Sequence, residues 1–250
     1  MRKYLTIVYI LISCTGIQAG KMTFDDLYSV AKISDPQISP DGNRAAFTLT
    51  RNNLETNKSF SHIWIINSDG SGMNQYTSGE RSCFSPRWSP DGSQLYFLSA
   101  VEKSGLQLCT FDPDRKTVKT ISSAYSGVGD ITLLPDGTGC LFVSSVLPDC
   151  PDDSCNRTRD EAKENNPVKA KLYDHLLYRH YNRWFDGKVE QVLKLNFNDG
   201  RHTKLFPTPF GDHNTIFSDY GVSPDGQEIC VSMNIDTMPA VYVNYDLFTL

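Results

Sequence analysis

The sequence predicts an all-β fold, an incomplete β-propeller, because one short turn motif recurs along the chain. Four Pro-Asp-Gly turns occupy residues 39–42, 89–92, 134–137 and 223–226. Proline presets φ for the first central turn position, aspartate suits the second, and glycine takes the left-handed position that follows. A short apolar run lies on each side of every copy, so each turn is expected to close a hairpin between two strands.

The spacing of the turns indicates which all-β fold this is. From proline to proline the copies lie 50, 45 and 89 residues apart, so the last gap is close to two periods or to one period plus an insertion. A period of about 40–50 residues with several strands per unit is typical of a propeller blade. The alternative, a set of unrelated hairpins in an all-β protein, does not account for the matching flanks.

Residues 22–250 accordingly divide into about three and a half to four four-stranded blades, preceded by a short helix over residues 22–30. The blades span residues 33–77, 85–122, 129–206 and 216–250, the last of them incomplete. An insertion at residues 147–186 interrupts blade three, and a helix is expected in part of Glu161–Tyr178. Because a propeller must close into a ring to protect its sheet edges, we expect the sequence to be part of a longer protein.

The first 19 residues are predicted to be a secretory signal peptide. A basic start precedes an apolar run from Tyr4 to Ile12, which is too short to span a bilayer. Cleavage after Ala19 would release a periplasmic or secreted protein. Leu11–Cys14 also resembles a lipoprotein box, in which Cys14 would carry lipid and anchor the protein to a bacterial membrane. The soluble form is favoured, because a four-residue match arises easily in an apolar run.

Composition excludes some partners. Hydrophobic residues make up 39% of the chain and charged residues 21%, which is ordinary for a globular protein. The net charge is -5, and a nucleic-acid partner would require a basic face, so none is expected.

Cys150 and Cys155 are the best candidates for a disulfide, since they are close together in a polar segment and export permits oxidation. With His175 and His180 they would offer four zinc ligands, but the spacing is loose and the compartment favours a disulfide. We therefore predict no metal site and no cofactor.

Catalytic residues are not predicted in this sequence, because it contains no Gly-x-Ser-x-Gly nucleophile elbow. The substrate-binding candidates lie in the insertion. His180, Arg183 and Trp184 could line an inner cavity, although packing of the insertion onto its neighbours is the favoured interpretation. Glu161 and Glu164 could hold a substrate's free amino terminus, although a solvated helix face is favoured.

Several segments together resemble one family. They are Met22–Leu27, Ile38–Gly42, Ile63-Trp64, Pro86–Gly92, Cys150–Asp152 with Cys155, and Tyr178–His180 with Arg183–Lys188. In these segments the chain resembles the N-terminal propeller of bacterial prolyl-oligopeptidase-family (S9) serine peptidases, most closely the dipeptidyl-peptidase-5 and acylaminoacyl-peptidase branch. One departure is Tyr181, where that branch often has tryptophan.

The resemblance implies a substrate-gating role in a secreted serine exopeptidase. Such proteins carry the catalytic Ser, Asp and His on an α/β-hydrolase domain downstream, and the propeller admits only short or unfolded peptides to it. The peptide substrate would thus be the partner, through a domain absent from this chain. The Pro-Asp-Gly repeats alone also fit a non-enzymatic, TolB-like periplasmic propeller that binds a protein partner.

Overall fold

The computed structural model describes residues 20–101, 105–112, 117–173, 178–206, 216–235 and 244–250. The predicted signal peptide, Cys14 and His175 lie outside the described residues. No helix within the described ranges is long and apolar enough to cross a bilayer.

The described residues form two helices and seventeen strands. They are α1 (Phe24–Ser29), β1 (Lys32–Ile38), β2 (Arg44–Asn53), β3 (Lys58–Asn67), β4 (Asn74–Gln75), β5 (Cys83–Trp88), β6 (Leu95–Val101), β7 (Gly105–Asp112), β8 (Thr117–Thr120), β9 (Gly129–Leu133), β10 (Gly139–Val146), α2 (Asp153–Asn165), β11 (Arg179–His180), β12 (Arg183–Trp184), β13 (Val189–Asn196), β14 (His202–Lys204), β15 (Ile216–Val222), β16 (Ile229–Asn234) and β17 (Asp246–Thr249).

Four antiparallel sheets follow one another along the chain. Their strand orders are β1-β2-β3-β4, β5-β6-β7-β8, β9-β10-β13-β14 and β15-β16-β17. The predicted all-β propeller fold is confirmed, including the partly helical insertion, which enters between β10 and β13. Part of Glu161–Tyr178 is helical as expected, up to Asn165. The helix α2 begins earlier, at Asp153, because the Asp152 carboxylate caps it by accepting from the backbone N–H of Cys155 at 2.9 Å.

The repeated turns owe their shape to an aspartate. In the first copy the Ser39 hydroxyl donates to the Asp41 carboxylate at 2.6 Å, and the backbone N–H of Asn43 donates to the same oxygen at 3.1 Å. These bonds lower the pKa of Asp41 to about 2. Gly42 follows at φ +73°, a region that a side chain would make costly. The copies at 89–92 and 223–226 repeat the serine–aspartate bond at 2.5 and 2.6 Å.

The hydrophobic core lies between neighbouring sheets. Successive residues of a strand point to opposite faces, so β6 contributes Phe97 to the interface with the first sheet and Leu98 to the interface with the third. Likewise β10 turns Phe142 toward the second sheet and Leu141 toward the fourth. All four side chains are buried.

Polar bonds join the first strands of successive sheets. The Arg87 guanidinium on β5 forms an ion pair with Asp35 of β1 at 2.7 Å and donates to the carbonyl of Ile131 on β9 at 3.2 Å. The Tyr220 hydroxyl on β15 donates to the carbonyl of Asp130 at 2.7 Å, and burial raises the pKa of Tyr220. Asp35 and Asp130 sit at positive φ where register shifts bend β1 and β9.

Phe142→Ala should lower the free energy of unfolding by about 3–5 kcal/mol, because it opens a cavity between two sheets where the side chain is 0% exposed. Chemical denaturation followed by circular dichroism measures the change. Leu172→Ala is the matched control: its side chain is 97% exposed, and the change should stay within about 0.5 kcal/mol. Equal losses in the two variants would contradict the placement of the core.

Candidate functional site

The insertion in blade three contains every substrate-binding residue predicted above, and its base is tightly tied. Cys150 and Cys155 form a disulfide with their Cα atoms 5.4 Å apart, linking the preceding loop to the first turn of α2. The buried Asn156 side chain closes the same loop: its Oδ1 accepts from the backbone N–H of Leu147 at 2.8 Å, and its Nδ2 donates to the carbonyl of Asp152 at 2.9 Å.

A lysine on β14, outside the insertion, forms hydrogen bonds to the same loop. The Lys204 ammonium on β14 donates to the carbonyls of Leu147, Pro148 and Cys150 at 3.1, 3.2 and 2.5 Å. Burial lowers the pKa of Lys204. Three carbonyl acceptors match the three donors of an ammonium group, so the partly buried charge is well solvated by protein.

A second contact joins α2 to β14 through charge. The His202 ring donates through Nε2 to the Asp153 carboxylate at 2.9 Å, and the backbone N–H of Tyr125 donates to the same oxygen at 2.8 Å. The bond to Asp153 raises the pKa of His202 against the opposing effect of burial. Burial acts to raise the pKa of Asp153, but the bonds from His202 and Tyr125 together outweigh it and lower that pKa.

The far end of α2 is fixed to the residues that follow the hairpin β11–β12. The Lys188 ammonium pairs with Asp160 at 2.7 Å, and both side chains are about one-fifth exposed. Lys163 donates to the carbonyl of Asp186 at 3.4 Å. The helix is therefore held at both ends.

The insertion also holds a cluster of three aromatic rings, Tyr173, Tyr178 and Trp184, here called the aromatic platform. The Trp184 ring stacks near Tyr173 with centroids 5.9 Å apart and an interplanar angle of 17°, and near Tyr178 at 6.1 Å and 29°. Trp184 is 51% exposed. Such offset stacking adds about 0.5–1.5 kcal/mol per ring pair beyond buried area, which explains how so exposed a cluster keeps its arrangement.

Hydrogen bonds fix the platform. The Tyr173 hydroxyl donates to the carbonyl of Phe185 at 2.9 Å, which ties the chain before the hairpin to the chain after it. Arg179 places its guanidinium carbon 5.4 Å from the Trp184 ring centroid and donates through Nε to the carbonyl of Tyr181 at 2.6 Å. The guanidinium is thus a cation–π partner of the platform.

The predicted site residues divide between the platform and the helix. Trp184 belongs to the platform. The backbones of His180 and Arg183 pair across the hairpin, but their side chains lie outside the described residues. Glu161 and Glu164 lie exposed on α2, and neither carboxylate has a hydrogen bond or ion pair within the described ranges. Their charges contribute to the raised pKa of Tyr125, after burial and Asp160.

Sequence reasoning missed the residues that build the site. Tyr173 and Arg179 stood in a visible aromatic and basic run, and this run was the one available signal. Asp153, His202 and Lys204 gave none, because about 50 residues separate the loop and helix from the strand that holds them. No group of three or more His, Cys, Asp or Glu side chains in the described part of the chain is placed to hold a metal ion.

Sheets that follow one another and pack face to face define a β-propeller domain, here with a disulfide-tied insertion in its third sheet. No protein-family model matches the chain. Its sequence is 26% identical over 252 residues to dipeptidyl-peptidase 5 of Porphyromonas endodontalis, an alignment that covers 93% of this chain and 34% of that protein. The chain spans about a third of the length of the first curated relatives it matches.

Two solved structures agree on the fold. Acylaminoacyl peptidase of Pyrococcus horikoshii has a TM-score of 0.61 at 20% identity, over 89% of this chain and 31% of that one. The β-propeller domain of the trilobed protease from Pyrococcus furiosus has a TM-score of 0.50 at 16% identity, over 88% of this chain and 54% of that one. The predicted resemblance to the propeller region of S9 peptidases of the dipeptidyl-peptidase 5 and acylaminoacyl-peptidase branch is confirmed.

The Asp153–His202 pair should make stability depend on pH. The pKa of His202 lies above its ordinary 6.5, so its contribution is complete below pH 6.5 and is lost as pH rises through the folded-state pKa. The pKa of Asp153 lies below 3.8, so its contribution is present above pH 3.8 and is lost on acidification. His202→Gln should therefore cost about 1–3 kcal/mol near pH 5.5 and less near pH 8.5.

Urea denaturation of wild type and variant at both pH values measures the difference. Arg201→Gln is the control, because Arg201 is an exposed neighbour and its loss should have the same small effect at each pH. An identical cost of His202→Gln at pH 5.5 and 8.5 would refute the charged pair.

Replacing both Cys150 and Cys155 by alanine should reduce stability by about 2 kcal/mol, since the disulfide closes a short loop. Hydrogen exchange should show the loss of protection in α2, with β10 and β13 unaffected because their pairing is independent of the loop. Cys230→Ala, which removes a free thiol, is the control. Uniform loss of protection through the third sheet would argue against a local role for the disulfide.

Proposed function

We propose that this chain is the substrate-gating propeller portion of a secreted serine exopeptidase, of the dipeptidyl- or acylaminoacyl-peptidase type, that hydrolyses short peptides. One observation carries the proposal. The alignment with dipeptidyl-peptidase 5 covers nearly the whole chain but only a third of that protein. A peptidase related to it would hold its nucleophile in the other two thirds, in keeping with the absence of a Gly-x-Ser-x-Gly elbow from this sequence.

The chemistry of the proposed enzyme belongs to an α/β-hydrolase domain. A serine there would attack the peptide carbonyl, a histidine would take the serine proton, and backbone amides would stabilise the oxyanion. The propeller residues of this chain would select substrates by size. Bonds such as Arg87–Asp35 and Tyr220–Asp130 hold successive sheets together, so the blades would resist separating to admit a folded substrate.

The proposed location is the periplasm or the medium, with a lipid anchor at Cys14 as the alternative. The basic and apolar pattern of residues 1–19 supports export. The disulfide of Cys150 and Cys155 also fits, because such bonds persist in oxidising compartments. The mass of the mature N-terminus distinguishes cleavage after Ala19 from lipidation of Cys14.

A fluorophosphonate probe on the full-length gene product tests the proposed activity. A single serine outside residues 1–250 should be labelled, and its replacement by alanine should abolish both labelling and release of dipeptides or acylated residues from short peptides. The 250-residue chain alone, which carries no elbow, is the control and should remain unlabelled. Absence of labelling in the full-length product would favour a non-enzymatic propeller that binds a protein partner.

A further inference from the structure

The second half of the insertion, with the two residues after it, carries a net charge opposite to that of the whole chain. Residues 167–188 contain five Lys and Arg side chains against two Asp, whereas the chain as a whole has a net charge of -5. Several of these cations are already used: Lys188 pairs with Asp160, and Lys169 donates to the carbonyl of Glu164 at 2.6 Å. Arg179 and Lys171 form no ion pair with any carboxylate in the described ranges.

The positive charge of Arg179 lies beside the aromatic platform. The Arg179 guanidinium packs over the Trp184 ring, and its Nε donates a hydrogen bond to the carbonyl of Tyr181. That bond restrains the side chain, so a carboxylate bound by the remaining donors would cost little further rotamer entropy. A guanidinium next to exposed rings recognises an anion and a flat apolar group together.

A cleft adjoins the platform and extends this chemistry. It has a volume of about 310 Å³ and lies between the end of α2 and the chain on either side of the hairpin. Its lining includes the cations Lys163 and Lys171 against one carboxylate, that of Asp186. The apolar Leu172 and the rings of Tyr173 and Phe185 complete it, with Gly187. Tyr173 belongs to both features, so cleft and platform form one continuous surface.

From this juxtaposition we propose that the aromatic platform and its cleft bind acidic peptides, in which an Asp or Glu side chain meets Arg179 and a neighbouring apolar side chain packs on Trp184. This inference rests on the proposed peptidase function and names the class of peptide that the insertion selects. The charge distribution favours a peptide over an anionic membrane as the ligand. Outside residues 167–188 the net charge of the chain is more negative than that of the whole chain, so those parts would repel an extended anionic surface.

Fluorescence anisotropy of the purified chain tests the proposal without any catalytic step. The probe is a fluorescein-labelled hexapeptide, Gly-Glu-Phe-Glu-Phe-Gly, with an amidated end, and the matched peptide has both Glu replaced by Gln. The Glu peptide should bind at least about fivefold more tightly, since a hydrogen bond between charged groups exceeds a neutral one. Raising the salt concentration should reduce that difference.

Variants assign the effect to its residues. Arg179→Gln should weaken the Glu peptide at least about fivefold and leave the Gln peptide unchanged. Trp184→Ala should weaken both. Arg159→Gln is the matched control: it also removes one positive charge from the insertion, but Arg159 pairs with Asp149 at 2.6 Å, so peptide binding should not change.

Each contrary outcome overturns the proposal in an identifiable way. Equal binding of the two peptides excludes selection of acidic ligands, and equal effects of Arg159→Gln and Arg179→Gln exclude a specific site. Displacement of the Glu peptide by phosphatidylserine vesicles, but not by excess unlabelled peptide, assigns the surface to a membrane. Serine labelling of the full-length product is a separate measurement, so failure here and failure of the proposed function remain distinguishable.

Discussion

Face-to-face packing of neighbouring sheets is the constraint on which the rest of the structure depends. A middle strand such as β6 or β10 must supply apolar side chains to both of its faces, as Phe97 and Leu98 do. The insertion respects this rule because it leaves the third sheet at one end of the paired strands, at Val146 and Val189. Both faces of the third sheet therefore remain available to pack against its neighbouring sheets. The length and sequence of the insertion can vary without removing side chains from the hydrophobic core.

The base and the platform of the insertion use opposite physical means. The base is polar and partly buried, so Lys204, Asn156 and the Asp153–His202 pair must each satisfy their partners closely. The platform is largely exposed, and its rings stack on one another. The interpretation favoured from the sequence, that Trp184 packs the insertion onto its neighbours, stays a prediction. A firm base allows exposed rings to keep a defined shape, which a binding surface needs.

Local and repetitive features were within reach of the sequence. The four turns can be recognised in the sequence because proline, aspartate and glycine each meet a separate backbone requirement of the turn. The recurrence of the turns indicates repeated sheets. The start of α2 was not predicted from the sequence, which favoured a helix in part of Glu161–Tyr178; the helix begins earlier because Asp152 caps it. The contacts of His202 and Lys204 with the insertion were out of reach, because they join segments that only the closed third sheet brings together.

None of the core clusters of the described residues lies on the outward face of the first sheet. Phe47 and Leu49 are nonetheless buried there, and Arg51 lies over the Trp64 ring with its guanidinium carbon 5.9 Å from the centroid. Beside them is a cleft of about 350 Å³, to which His62 contributes. The His62 Nδ1 is buried with no hydrogen-bond partner among the described residues, and burial lowers the pKa of His62. An unsatisfied buried nitrogen costs about 1–3 kcal/mol, so this face is incompletely satisfied as it stands. All four strands of the sheet come from β1 to β4, so the sheet forms without pairing to a strand of any other described sheet.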